Sequence, residues 1–265
     1  MRPAILTCTF SLMYAMLPAQ DFAMSKLVPD RTSVWVGEVF GLTYELSVLR
    51  RLNPQVSGTL DWNPLPLSIE GWSKPEGTEV MFQGEPGMKV AFRTRAVAKA
   101  SGSVDLAPVR HAISVKRESR MGKAEVASDH LLLDVRPLPS PPIDFSGAVG
   151  QIKMVSVVRP QKVALNEPIS WIVEVSGSAS WPETVALPVR IIPEEFRTEA
   201  PKRSRISSDE KPFDTKLLEE FTLVPTRIGT FTLRGTTFTY FDPQAGKYAT
   251  VSTPETLVEV IAARN

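Results

Sequence analysis

A strand-like pattern occurs twice in the chain, at positions 34–47 and 163–176, so the second copy is offset from the first by 129 positions. In each copy a short apolar run leads into a tight turn, and the turn leads into a longer run in which apolar and polar residues alternate. Alternation with period two predicts a strand with one buried face. Gly37 and Asn166 are residue types that tolerate the positive φ of such a turn. The pattern therefore predicts two copies of one β unit, although generic alternation is the alternative explanation.

The rest of the chain favours the same fold class. Helical periodicity is almost absent, and 23 prolines against 15 glycines are typical of a chain rich in strands and loops. A weaker echo links positions 92–106 with 221–233. We predict an all-β protein with two immunoglobulin-like β-sandwiches in tandem, at 24–136 and 144–265, joined by the proline-rich linker 137–143.

Two further segments have a clear pattern. Positions 236–261 predict a closing hairpin, in which a strand, a turn and a returning strand are followed by a last strand. Positions 197–216 are polar and of mixed charge, which predicts a solvated and mobile loop.

The N-terminus is typical of a secretory signal peptide. Arg2 precedes the uncharged apolar run 4–17, and small residues near Ala19 and Ala23 fit a cleavage site. We predict a signal peptide at 1–20 and a periplasmic or secreted mature protein. An uncleaved anchor is the alternative, but the run is shorter than the about 20 apolar residues that a membrane-spanning helix needs.

The chain has one cysteine, Cys8, inside that apolar run. Cleavage would remove it and leave a mature protein without disulfides or thiolate chemistry. Lipid attachment is the alternative, because Leu6 and Thr7 faintly resemble a lipobox, but few residues precede the cysteine.

The sequence offers little for catalysis or metal binding. Its two histidines, His111 and His130, have no second histidine or cysteine nearby, so we interpret both as structural surface or rim residues. Motifs for a nucleophile elbow, a phosphate loop and an EF-hand are absent from the sequence. With 30 basic and 29 acidic residues, nothing indicates nucleic acid as a partner. We predict no catalytic residues, no metal site and no cofactor.

The tryptophans fall into two groups. Trp171 alternates with apolar neighbours and is predicted to be the central core residue of the second sandwich. Trp62, Trp72 and Trp181 lie among Pro, Asn and Gly and are predicted to be in loops. They are candidate anchors of a protein interface, because loop tryptophans serve well there, and the alternative is that they cover the ends of the sandwiches.

The second half carries an ordered set of motifs that resembles BatD, the oxygen-tolerance family of bacterial envelope proteins. They are DFSGAVG at 144–150, NEPI at 166–169, VEVSG at 173–177, LP at 187–188, FTLVP at 221–225, GTF at 229–231, YFDP at 240–243 and GKY at 246–248. The likeness is weaker over 30–136, where positions 36–38 and the strand after them fit the family's first domain.

This resemblance implies a non-enzymatic protein facing the periplasm. It also implies envelope proteins as partners, among them von Willebrand factor A-domain proteins, and a MoxR-type AAA+ ATPase system in a stress or oxygen-tolerance complex. Family members commonly continue into a C-terminal transmembrane helix, whereas this sequence stops at Asn265. We therefore expect a short form with no stable transmembrane anchor after signal cleavage.

Two other functions compete with this one. A secreted adhesin or carbohydrate-binding module would use Trp62, Trp72 and Trp181 as stacking platforms. An enzyme of unrecognised type is the third hypothesis.

The signal peptide yields the first testable prediction. N-terminal sequencing of the protein from the periplasm should find a start near residues 20–24, because small residues mark the cleavage site there. Recovery of an intact Met1 in the membrane fraction would contradict it.

Overall fold

The computed structural model describes residues 21–117, 120–185 and 187–263. Within these ranges every regular element is a β-strand, apart from one short 3-10 turn at Arg50–Leu52. The all-β prediction is confirmed. The predicted signal peptide, 1–20, with its cysteine and most of its cleavage site, lies outside the described residues. In the described part of the chain, no helix has the length and apolar character needed to cross a membrane.

The first half, 21–136, contains eleven strands. They are β1 Ala23–Pro29, β2 Ser33–Trp35, β3 Val39–Leu49, β4 Gln55–Val56, β5 Leu67–Ile69, β6 Glu76–Phe82, β7 Glu85–Ala98, β8 Gly102–Leu106, β9 Arg110–Arg117, β10 Arg120–Ala127 and β11 Leu131–Arg136. The first large sheet has the order β1-β3-β7-β5, and β6 also pairs with β7. Two small sheets, β2-β11-β8 and β10-β9-β4, complete this half. A single apolar core lies among these strands.

The second half, 144–263, contains ten strands. They are β12 Phe145–Arg159, β13 Lys162–Ala164, β14 Ile169–Ser180, β15 Phe196–Thr198, β16 Lys202–Ser208, β17 Lys211–Pro225, β18 Gly229–Leu233, β19 Thr237–Asp242, β20 Lys247–Ser252 and β21 Thr256–Ile261. The second large sheet has the order β15-β17-β14-β12-β19-β20, and β16 also pairs with β17. The small sheet β13-β21-β18 packs against it. The predicted closing hairpin is confirmed.

The strand order of the first half recurs in the second. The series β1-β3-β7 corresponds to β12-β14-β17, and β2-β11-β8 corresponds to β13-β21-β18. In both small sheets the pair formed by the first and last strands is parallel. The immunoglobulin-like prediction is thus supported by a strand order that occurs twice. Residues 137–142 have no regular structure, and the division into two independently folding domains stays a prediction.

The recurrence extends to the turn that sequence analysis singled out. Gly37 has a φ of +79° and Asn166 a φ of +67°, as predicted from their residue types. The Glu38 carboxylate accepts a hydrogen bond of 2.8 Å from the Trp35 amide. The Glu167 carboxylate likewise accepts one of 3.1 Å from the amide three positions before it. Each glutamate therefore closes the turn between a small-sheet strand and a large-sheet strand.

The cross-strand register recurs as well. On the first large sheet Lys89 lies 3.3 Å from Glu45, and on the second Lys216 lies 3.6 Å from Glu174. In both sheets the lysine is opposite the residue two positions beyond the glutamate. The same diagonal ion pair in the same register supports duplication over chance alternation.

The prediction of a loop at 197–216 is wrong. Its residues form β15, β16 and the start of β17, and β16 pairs with β17 along the edge of the second large sheet. Every residue of β16 is exposed, so the strand has no apolar face and its sequence resembles a loop. Its charged side chains are typical of a protected edge strand.

Trp171 is buried as predicted, with 2% of its surface exposed. Its indole nitrogen donates a hydrogen bond of 2.9 Å to the Ser156 hydroxyl. Ser170 and Glu174 lie on the opposite face of β14, in keeping with the alternation.

Removing this indole should severely destabilise the protein. Trp171→Ala should cost about 3–5 kcal/mol, because it loses burial and leaves a cavity. Glu174→Gln, on the same strand but facing outward, should cost less than about 1 kcal/mol. Chemical denaturation of both variants measures the difference, and equal costs would refute the assignment of the two faces.

Candidate interaction surface

The three loop tryptophans do not form one surface. Trp62 and Trp72 are neighbours, with ring centroids 5.8 Å apart and planes tilted by 52°. The Trp62 indole donates a hydrogen bond of 2.9 Å to the Ala107 carbonyl. Trp181 lies in the second half, 6.5 Å from Phe238, and its buried indole nitrogen has no partner among the described atoms. All three are half-buried against apolar cores, and their role as interface anchors stays a prediction.

The two histidines have different surroundings. His111 is fully buried between Tyr44 and Phe92, and its Nε2 lies 2.8 Å from the Ser57 carbonyl. The prediction of a surface or rim position is therefore wrong for His111. Burial lowers the pKa of its imidazole. His130 is exposed, as predicted. The described residues contain no cluster of three or more His, Cys, Asp or Glu side chains that could hold a metal ion.

Sequence analysis missed a buried ion pair beside Trp171. The Arg190 guanidinium donates to the Trp171 carbonyl at 2.8 Å and to the Glu219 carboxylate at 3.0 Å. It also lies 4.4 Å from the centroid of the Phe221 ring. Arg203, which lies at the surface, donates a hydrogen bond of 2.6 Å to the same carboxylate. Burial lowers the pKa of Arg190, although the hydrogen bond to Glu219 acts in the opposite direction. The Arg190 and Glu219 side chains are closed to solvent.

A second arginine joins the two halves. Arg95 of β7 makes two hydrogen bonds to Glu70, of 2.7 and 2.6 Å. It makes two more to Asp214 of β17, of 2.8 and 2.9 Å, and one of 2.8 Å to the Ser178 hydroxyl. These bonds raise the pKa of Arg95 and lower that of Asp214. One guanidinium thus ties the two large sheets together.

Aromatic contacts join the halves at a different place. Trp35 meets Phe241 edge to face, with 5.2 Å between ring centroids. The Arg136 guanidinium lies 4.0 Å from the centroid of the Trp35 ring. The Tyr248 hydroxyl donates a hydrogen bond of 2.7 Å to the carbonyl of Pro139 in the linker. The proline-rich segment is therefore held against the second half.

The second large sheet leaves part of one face uncovered. We call the side of β12, β14 and β17 that points away from the core the outer face. It carries a shallow groove of about 510 Å³. The groove is lined by Val155, Val157, Arg159, Ser170, Ile172, Glu174 and Leu218. Half of the surface of Val155 is exposed there. Four of these seven lining residues are apolar, and a partly apolar groove that no described residue covers is a candidate interaction site.

Comparisons with known proteins give only distant likenesses. No family model and no curated protein matches the chain. Among solved structures, it resembles the Yersinia pseudotuberculosis adhesin InvE at 12% identity and a TM-score of 0.24, over 89% of this chain and 60% of that one. It resembles the N-terminal periplasmic domain of ScsB from Proteus mirabilis at 10% identity and a TM-score of 0.24, over 92% of this chain and 96% of that one. Both likenesses are too distant to assign a function.

The two arginines that share Glu219 offer a matched test of the buried pair. Arg190→Met should cost about 3–5 kcal/mol of unfolding free energy, because it leaves a carboxylate buried without its buried partner. Arg203→Met should cost less than about 1 kcal/mol, because the Arg203 side chain is 70% exposed. Urea unfolding of the two variants compares these costs, and similar values would show that the pair does not stabilise the core.

Proposed function

We propose that the chain is a non-enzymatic interaction module of the bacterial envelope. The observation that supports this most directly is the apolar groove on the outer face, which is open to solvent on an otherwise well-packed sheet. Binding proteins of this kind present a preformed surface on a rigid frame. The contacts through Arg95 and Trp35 supply that rigidity, because they join the halves at two separate places.

Three buried polar groups that could take part in catalysis support the same proposal, because other residues of the fold enclose or bind them. The buried carboxylate of Glu219 is held by Arg190, and that of Glu38 closes a turn. His111 is enclosed by aromatic rings. A catalytic acid, base or nucleophile must reach a substrate, and these three positions are closed to one.

The motifs of the second half carry the more specific part of the proposal. They suggest a BatD-like role, with von Willebrand factor A-domain proteins as partners and a MoxR-type AAA+ ATPase as part of the same system. The signal-like N-terminus supports a periplasmic or secreted location.

A secreted adhesin or carbohydrate-binding module is the second candidate. The adjacent rings of Trp62 and Trp72 favour it, because paired indoles can stack on a sugar. Their tilt of 52° and the hydrogen bond that engages the Trp62 nitrogen leave less of a flat platform than stacking needs.

Affinity purification from envelope extracts tests the first candidate against the second. The tagged protein should retain an A-domain protein or the ATPase at stoichiometric levels, and Trp72→Ala should retain it equally. A glycan array is the counterpart measurement: saturable sugar binding that Trp72→Ala abolishes, with no protein partner retained, would replace the envelope module by the carbohydrate-binding one.

A further inference from the structure

The duplication makes the first half an internal reference for the outer face of the second. Lys26, Glu45 and Ala91 are aligned across β1, β3 and β7. The same row in the second half is Val155, Glu174 and Leu218. One row further, Thr43 corresponds to Ile172, since each is opposite a valine of the preceding strand. Two polar residues of the first copy are thus replaced by apolar ones in the second, and an alanine is replaced by a leucine.

These replacements leave an apolar surface exposed in the second half. In the first half, charged side chains cover the equivalent surface. There, Lys26 and Lys89 both bind Glu45, at 3.0 and 3.3 Å. In the second half, Glu174 keeps only the equivalent of Lys89, and exposed Val155 stands where the other lysine would be. The two large sheets share one register, so the same fold accommodates either the polar or small residues of the first half or the apolar residues of the second. Packing within the fold therefore does not explain why the second half has apolar residues at these positions.

The width of the groove matches an α-helix. Its lining spans β12, β14 and β17, two strand spacings, or about 10 Å. A helix with its side chains is about 10–12 Å across and packs with one apolar stripe on a sheet.

The charges around the groove define the flanks of that helix. Lys153 and Arg159 of β12 lie on one side, and Lys202 of β16 lies on the other. None of the three has an ion-pair partner among the described residues. The carboxylates that β14 and β17 place on this face are already engaged: Glu174 faces Lys216 at 3.6 Å, Glu220 accepts a hydrogen bond of 2.5 Å from Ser170, and Asp214 binds Arg95. Unpaired cations therefore predominate on the β12 side of the groove, whereas on the β16 side Lys202 lies opposite Glu220.

We propose that the outer face of the second large sheet binds an amphipathic helix of a partner protein, with Asp or Glu flanking its apolar stripe. This proposal rests on the proposed function and adds the surface and the partner's chemistry. The apolar stripe would lie over Val155, Ile172 and Leu218, which surround Glu174 and its partner Lys216, and its carboxylates would meet Lys153 and Arg159 on the β12 side.

The probe is a labelled helical peptide of about 14 residues, or about 21 Å, with a leucine stripe and flanking glutamates. A second peptide carries lysine in place of each glutamate. Fluorescence polarisation with the full chain should show saturable binding of the acidic peptide below about 1 mM, weakening as salt is raised, and no saturable binding of the basic one.

The residues of the first half define the variant that tests the proposal. Val155→Lys, Ile172→Thr and Leu218→Ala together install residues that β1, β3 and β7 already carry in the same register, and they should weaken acidic-peptide binding at least about tenfold, equivalent to about 1.4 kcal/mol. Leu132→Ala, at an exposed apolar position of the first half, is the control and should bind as wild type does. Lys153→Glu with Arg159→Glu, both on the exposed surface, should shift preference to the basic peptide even if the triple variant folds poorly.

Each other outcome overturns the proposal. Equal binding of both peptides, or none below about 1 mM, would exclude an acidic helix. Self-association of the wild type that the triple variant abolishes in sedimentation would make a second copy the occupant. An envelope partner retained equally by the triple variant would leave the proposed function standing and place its site elsewhere.

Discussion

The architecture depends on a turn that moves the chain from one sheet to the next. Between β2 and β3 the backbone passes through a positive φ at Gly37 and leaves the small sheet for the large one. Glu38 is almost fully buried at this point, and its carboxylate satisfies an amide that neither sheet could pair. Because this turn is short, it places the first strand of the small sheet next to the start of a long strand of the large sheet. Asn166 and Glu167 repeat the arrangement in the second half.

The two halves share this turn and the strand order around it, and they differ in the elements outside it. The hairpin β9–β10 closes over the first core, whereas its counterpart β19–β20 joins the second large sheet beside β12. The second core is left with the irregular chain after β14 as part of its cover, and Arg190 enters from that chain to hold Trp171 and Glu219. The same rearrangement accompanies an outer face that has exchanged ion pairs for an apolar groove.

Sequence patterns predicted what depends on local alternation. The repeated turn, the burial of Trp171 and the closing hairpin follow from period two and from residue types that accept a positive φ. The sequence pattern did not predict the strand β16, because an edge strand that is exposed on both faces has no alternation of apolar and polar residues. Arg190 had no signal either, since a lone arginine in an irregular segment normally faces water, and only the fold brings Glu219 to it. The groove depends on register between β12, β14 and β17, which alternation within single strands does not report.

The contact between the halves uses residues that only one copy of the repeat carries. Arg95 of the first copy binds Asp214 of the second, so the contact joins unlike surfaces. The equivalent positions of the other copy do not carry this ion pair. Thr222 occupies the position in β17 that Arg95 occupies in β7, because each is paired with the residue four positions before the equivalent glutamate, Glu174 or Glu45. Gly87 likewise stands where the second copy has Asp214. Each half therefore has one partner of the ion pair, and that pair is already made within the chain.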